Sequence, residues 1–130
     1  MRQVFLDSCI LIDAANRRSE FCGWSRALLG EIRASDVVQG VISPIIFSEF
    51  SAGFQTIAEV VAQIEALELT IAHPGVESLH LAARKHIIYR RNGGRKTGTV
   101  TDFFIGSQAV VEKGALATRD VNETCGILHP

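Results

Sequence analysis

Four acidic residues, Asp7, Glu49, Asp102 and Asp120, stand at the borders of apolar segments in this 130-residue chain. Asp7 follows "QVFL", Glu49 lies within "PIIFSEFSA", Asp102 precedes "FFIGSQA", and Asp120 closes "ALATRD". Singly, most have an ordinary explanation. Asp7 and Asp102 sit where an aspartate can cap a helix, a role worth about 1 kcal/mol, and Asp120 can be a turn residue. Glu49 is harder to dismiss: beside Ile46, Phe47 and Phe50 it is expected to be partly buried, and buried carboxylates need partners. Asp13 reads as solvated or locally paired.

Together the four suggest different chemistry. Carboxylates gathered at one place raise one another's pKa, so a cluster that stays ionised at neutral pH needs a compensating cation. Oxygen ligands without histidine or thiolate suit Mg2+ or Mn2+. Such an ion activates water for attack on a phosphodiester and neutralises charge on phosphorus and on the leaving oxygen. Spacing makes this convergence reasonable without proving it.

The elements that must position these residues alternate. Residues 3–6 read as a short buried strand, followed by helical spacing through Ile10, Ile12 and Ala14. Phe21, Trp24, Leu28 and Ile32 recur at offsets of three and four, predicting an amphipathic helix over residues 20–34. A second strand spans 37–43. Ser43 then offers an N-cap oxygen and Pro44 suits a first helical turn, so the segment carrying Glu49 should be a short helix stopped near Gly53. Another helix places Ile57, Val60, Val61, Ile64 and Leu67 on one face, before a strand at 69–72. Val76, Leu79, Ala83 and Ile87 mark a longer helix ending in the loop "RRNGGRKTG". A helix opened by Asp102 closes at Gly114, and strands follow at 115–118 and 126–129. This order predicts one α/β domain over residues 1–130: an α/β/α sandwich around a mostly parallel sheet, since parallel strands need crossover helices. Ligands collect beyond the carboxyl ends of such strands, where Asp7 and Asp120 should both lie.

Composition narrows the class. Forty-seven per cent hydrophobic and 21% charged residues argue for a globular chain, and a net charge of −1 gives no overall electrostatic case for a nucleic-acid partner. Cys9, Cys22 and Cys125 are odd in number and lack C-x-x-C spacing, which fits a reduced cytoplasm. No apolar run reaches the ~18–20 residues of a membrane span. The four histidines, His73, His80, His86 and His129, lack metalloprotease spacing and are assigned no role, and "GGRKTG" fails the Walker pattern.

At this point the chain resembles a PIN-domain ribonuclease of the kind found as VapC-like toxins in toxin–antitoxin pairs. The matching stretches are "VFLDSCILIDA", "VISPIIFSEFSAGF" and "TDFFIGSQAVVEKGALATRD", in the family's order and spacing. Short acidic motifs are common one at a time, but the three in sequence are specific. The resemblance implies a five-stranded parallel sheet flanked by helices and Mg2+- or Mn2+-dependent endoribonuclease activity. It maps the family's acidic set onto Asp7, Glu49, Asp102 and Asp120, and its hydroxyl residue after the first aspartate onto Ser8. It further implies an antitoxin that holds the toxin inactive, and a homodimer. Glu123 is a second candidate for the role of Asp120.

Charge distribution adds one feature. Between Glu77 and Asp102 there is no acid, while Arg84, Lys85, Arg90, Arg91, Arg95 and Lys96 fall in that window. The patch is either a solvated helix face with its loop or a phosphate contact beside the acidic site, with Arg95 and Lys96 foremost. A different class of reading is a non-catalytic RNA-binding or protein-interaction module on the same fold. An aspartyl phosphotransferase fits less well because Ser8 and Cys9, not a second carboxylate, neighbour Asp7, and a flap-type DNA nuclease normally needs a longer chain.

Overall fold

The computed structural model describes residues 1–93 and 100–119. In chain order the elements are β1 (Arg2–Leu6), α1 (Ser8–Ala15), α2 (Cys22–Ala34), β2 (Val38–Ile42), α3 (Pro44–Ser51), α4 (Ile57–Ala66), β3 (Thr70–Ile71), α5 (Val76–Arg91), α6 (Val100–Val111) and β4 (Ala115–Ala117). Every strand pairing is parallel and the order is β3-β2-β1-β4, which puts β1 in the interior of the sheet. Four strands form the sheet among the described residues; the expected fifth, at 126–129, lies outside them.

Successive strand residues face opposite sides of the sheet, and the two faces build separate cores. Leu6 and Ile42 join Ile10, Leu11, Leu29, Ile46, Phe50, Val60 and Ile64 beneath α1 to α4. Phe5 and Val41 face the other way, onto Ala109 of α6, while Ala82 of α5 and Phe103 of α6 pack together beside Tyr89. The result is the three-layer α/β/α arrangement, with helices on both faces as parallel sheets require.

Local chemistry explains several borders. Ser43 accepts a hydrogen bond from the Ile46 N–H at the start of α3, with Pro44 in the first turn, and Thr56 caps α4 through the Glu59 N–H. Helix α6 ends where Lys113 turns to positive φ and the Gly114 N–H donates to the Ala109 carbonyl. Gly114 then passes so close to β1 that a Cβ would lie 2.8 Å from the Gln3 carbonyl and from the Phe5 ring.

Two helix faces differ from the sequence-based expectation. In α2 the buried residues are Ser25, Leu29 and Ile32, while Phe21 and Trp24 are 36% and 49% exposed. In α5 Ser78 and Ala82 turn inward and Leu79 and Ile87 outward. Ile57, expected inside, is also exposed.

Candidate functional site

The carboxyl end of β1 delivers Asp7 to the start of α1. Its extended backbone makes it the N-cap, and Oδ1 accepts from the Ser8 N–H at 2.7 Å. The cap reading is therefore correct for one oxygen only. Oδ2 accepts from the Thr118 hydroxyl at 2.9 Å, and the Cys9 thiol donates to the same oxygen at 3.5 Å. The Asp7 N–H donates to the Ala117 carbonyl at 3.1 Å, so the end of β4 closes over β1 here. Asp7 is buried, with 7% of its surface exposed.

Glu49 approaches from α3. The residue as a whole is exposed, yet its carboxyl is partly withdrawn from water, as expected, and is pushed above the ordinary glutamate range. Lost hydration is the main cause, followed by the negative charges of Asp7 and then Asp102; a hydrogen bond from the Ser8 hydroxyl works in the opposite direction. Asp102 comes from the first turn of α6 and is buried. It is not a cap, since α6 starts at Val100. Three of the four sequence-predicted carboxylates thus share one electrostatic neighbourhood, with Ser8 bridging Asp7 and Glu49. The fourth, Asp120, lies outside the described residues, as do Glu123, Arg95 and Lys96.

An all-oxygen donor set in which two carboxylates raise the pKa of a third is chemically suited to a hard divalent cation. Among the described residues, however, no three acidic, imidazole or thiolate groups close on a point tightly enough to hold an ion. The arrangement is an acidic rim of three carboxylates, with one of its four expected donors, Asp120, beyond Arg119.

Sequence reasoning missed two features. Thr118 bonds Asp7 from 111 positions away, and its only sequence signal was a hydroxyl at the end of the strand expected over 115–118. Asp13, read as solvated or locally paired, is buried; it accepts from Ser19 Oγ at 3.0 Å and forms an ion pair with Arg119, whose guanidinium also lies 4.6 Å from the Phe21 ring centroid. Away from the acidic rim, a groove of about 430 Å³ between α1, α2, α3 and α4 is lined by Leu11, Leu29, Phe50, Phe54 and Leu67, with Arg33 among its polar residues. No helix among the described residues is long and apolar enough to cross a membrane.

The PIN domain family model matches residues 4–122. No curated protein sequence is significantly similar to the chain. Among solved structures the chain is similar to one in VapBC-1 from nontypeable Haemophilus influenzae, at 20% identity and TM-score 0.70, covering 96% of this chain and 92% of that one. It is similar to a chain of a toxin–antitoxin complex from Klebsiella pneumoniae, at 21% identity and TM-score 0.70, covering 95% and 92%. A chain of VapBC2 from Rickettsia felis, solved bound to a DNA fragment from its promoter, matches at 18% identity and TM-score 0.67, covering 93% and 90%. At these identities the likeness is one of fold.

Proposed function

The chain belongs to the PIN-domain family, and on that premise we propose that it is a divalent-metal-dependent endoribonuclease, the toxin of a toxin–antitoxin pair. The observation that carries the reading is the gathering of Asp7, Glu49 and Asp102 at one rim: the Glu49 carboxyl, raised first by lost hydration, also feels the negative charges of Asp7 and Asp102. Three elements far apart in sequence bring negative charge to one rim, an arrangement that costs stability unless a cation answers it.

In this reading Asp7, Glu49, Asp102 and Asp120 hold Mg2+ or Mn2+. When bound, the ion supplies an activated water and neutralises charge at the phosphate. The chain's own residues do the rest. Ser8 and Thr118 orient the carboxylates of Glu49 and Asp7 by hydrogen bonds, and the capped α1 terminus fixes the Asp7 backbone. Arg95 and Lys96, with the basic side of α5, bind RNA phosphates. The natural partners are a cognate antitoxin, for which the apolar groove offers a surface, and a second copy of the chain in a cytoplasmic homodimer. Solution of two of the similar structures as VapBC and of a third as a toxin–antitoxin complex supports the antitoxin part of this reading.

The test is cleavage of a mixed single-stranded RNA by purified protein with Mn2+, with EDTA, and with the Asp102→Asn variant. Cleavage should need the metal and fall at least a hundredfold in the variant. Metal-independent cleavage, or full activity in Asp102→Asn, would refute the assignment; metal-free RNA binding with no cleavage by the wild type favours the non-catalytic module.

A further inference from the structure

The N-cap and first turn of helix α2 carry two large aromatic residues that the core does not use. Phe21 and Trp24 lie about one helical turn apart and are 36% and 49% exposed, while Ser25, Leu29 and Ile32 fill the buried side. A single exposed aromatic is unremarkable, but a pair beside a net excess of positive charge is suited to recognition. Arg17 and Arg18, in the segment leading to α2, are both exposed and outnumber the neighbouring Glu20. Among the described residues neither guanidinium has a carboxylate partner. Arg119 lies over the Phe21 ring, its charge balanced by Asp13.

The position of this pair matters. Arg119 follows Thr118, and Thr118 donates its hydroxyl to Asp7. The Phe21 ring is therefore connected to the acidic rim through two consecutive residues, Arg119 and Thr118. Exposed aromatic faces with unpaired arginines are the two components of a sequence-tolerant platform for single-stranded nucleic acid: bases stack on the rings and phosphates meet the cations.

We propose that Phe21 and Trp24, with Arg17 and Arg18, form a stacking platform for one flank of a single-stranded RNA whose backbone crosses the acidic rim. The inference deepens the ribonuclease reading and rests on it for the substrate class. It assigns the substrate a second contact, distinct from the basic stretch at 84–96, and predicts that paired RNA, whose bases are not free to stack on the rings, binds less well.

Trp24 is the chain's one tryptophan, so its emission reports on the platform directly. The full chain in EDTA is titrated with a 12-nucleotide single-stranded RNA carrying a terminal dye, following tryptophan emission and dye anisotropy together. Expected are saturable quenching, a midpoint that moves to higher RNA concentration as salt rises, and weaker binding of the matching duplex. Trp24→Ala and the double change Arg17→Gln/Arg18→Gln should each weaken binding about tenfold by anisotropy, with Trp24→Phe restoring most of it. With Mn2+ present, the same variants should raise KM for cleavage and leave kcat near the wild-type value. Anisotropy that rises while emission and the variants' affinities stay unchanged overturns the platform and leaves the ribonuclease reading intact. Emission that responds only to the antitoxin, or only to protein concentration, overturns it in favour of a protein partner. Quenching by RNA without cleavage upholds the platform and removes the nuclease reading, and absence of both binding and cleavage removes both.

Discussion

Replacing Asp7 with asparagine separates a structural cap from a metal ligand, because the two roles give opposite signatures. The Asp7 carboxylate accepts one hydrogen bond from the Ser8 N–H and another from Thr118. An asparagine keeps these two contacts, its oxygen still accepting from Ser8 and its amide donating to the Thr118 hydroxyl, which can accept; the weak bond from the Cys9 thiol to Oδ2 goes, because an amide NH2 cannot accept it. What is lost is charge assistance, roughly 1 kcal/mol per bond. Against that, Glu49 is relieved of the negative neighbour that raises its carboxyl, a gain on the order of 1 kcal/mol for charges several ångströms apart near a surface. The metal-free variant should therefore lie within about 1 kcal/mol of wild type, or about 4 °C in Tm for a chain of this size. Metal changes the comparison. At a hundredfold excess over Kd, Mn2+ adds about 2.7 kcal/mol to the wild type by mass action, roughly 10 °C, and the asparagine variant should lose most of that increment. Thermal unfolding monitored by circular dichroism, with EDTA and with a Mn2+ series, measures both. A variant that keeps the Mn2+ increment, or one that loses 10 °C in EDTA, refutes the reasoning: the first because Asp7 is then no ligand, the second because its cap role dominates.

Three further outcomes follow from contacts described above. Because Glu49 binds its proton more tightly in the folded state, its contribution to metal-free stability should be fully present below about pH 4.5, the unfolded value, and be lost as pH rises through the raised folded value; the difference in Tm between wild type and Glu49→Gln, followed against pH in EDTA, should show this slope. Asp13→Asn leaves the Arg119 guanidinium without its buried carboxylate and should cost about 2 kcal/mol, less than a fully buried pair because Arg119 is partly solvated, read as a lower urea midpoint at unchanged slope. Gly114→Ala forces a methyl group against the Gln3 carbonyl and the Phe5 ring and should cost about 1–3 kcal/mol by overpacking, seen in the same urea titration.

The elements were legible wherever local chemistry decides. Ser43 and Pro44 announced α3, and the alternation of strand and helix announced the parallel sheet, because caps and crossovers are written within a few residues. Helix faces were less legible. In α2 and α5 the buried positions include Ser25, Ser78 and Ala82, small residues that admit a neighbouring helix closely but carry no hydrophobic signal, so periodicity counted Trp24 and Leu79 in their place. Of the site, Asp7, Glu49 and Asp102 could be picked out as acids at element borders. The hydroxyl of Thr118 and the pairing of Arg119 with Asp13 could not, since those partners are separated by 111 and 106 positions and meet only through the β1–β4 register.

That same register has a consequence for synthesis. β1 leaves the ribosome more than a hundred residues before β4, yet the contact that seats Asp7 joins the residues that directly follow these two strands. An unfinished polypeptide ending short of Thr118 cannot assemble this corner, whatever its helices have already done. On the proposed nuclease reading, activity is thereby postponed until Thr118 has been made, and chains cut short before it should be inert.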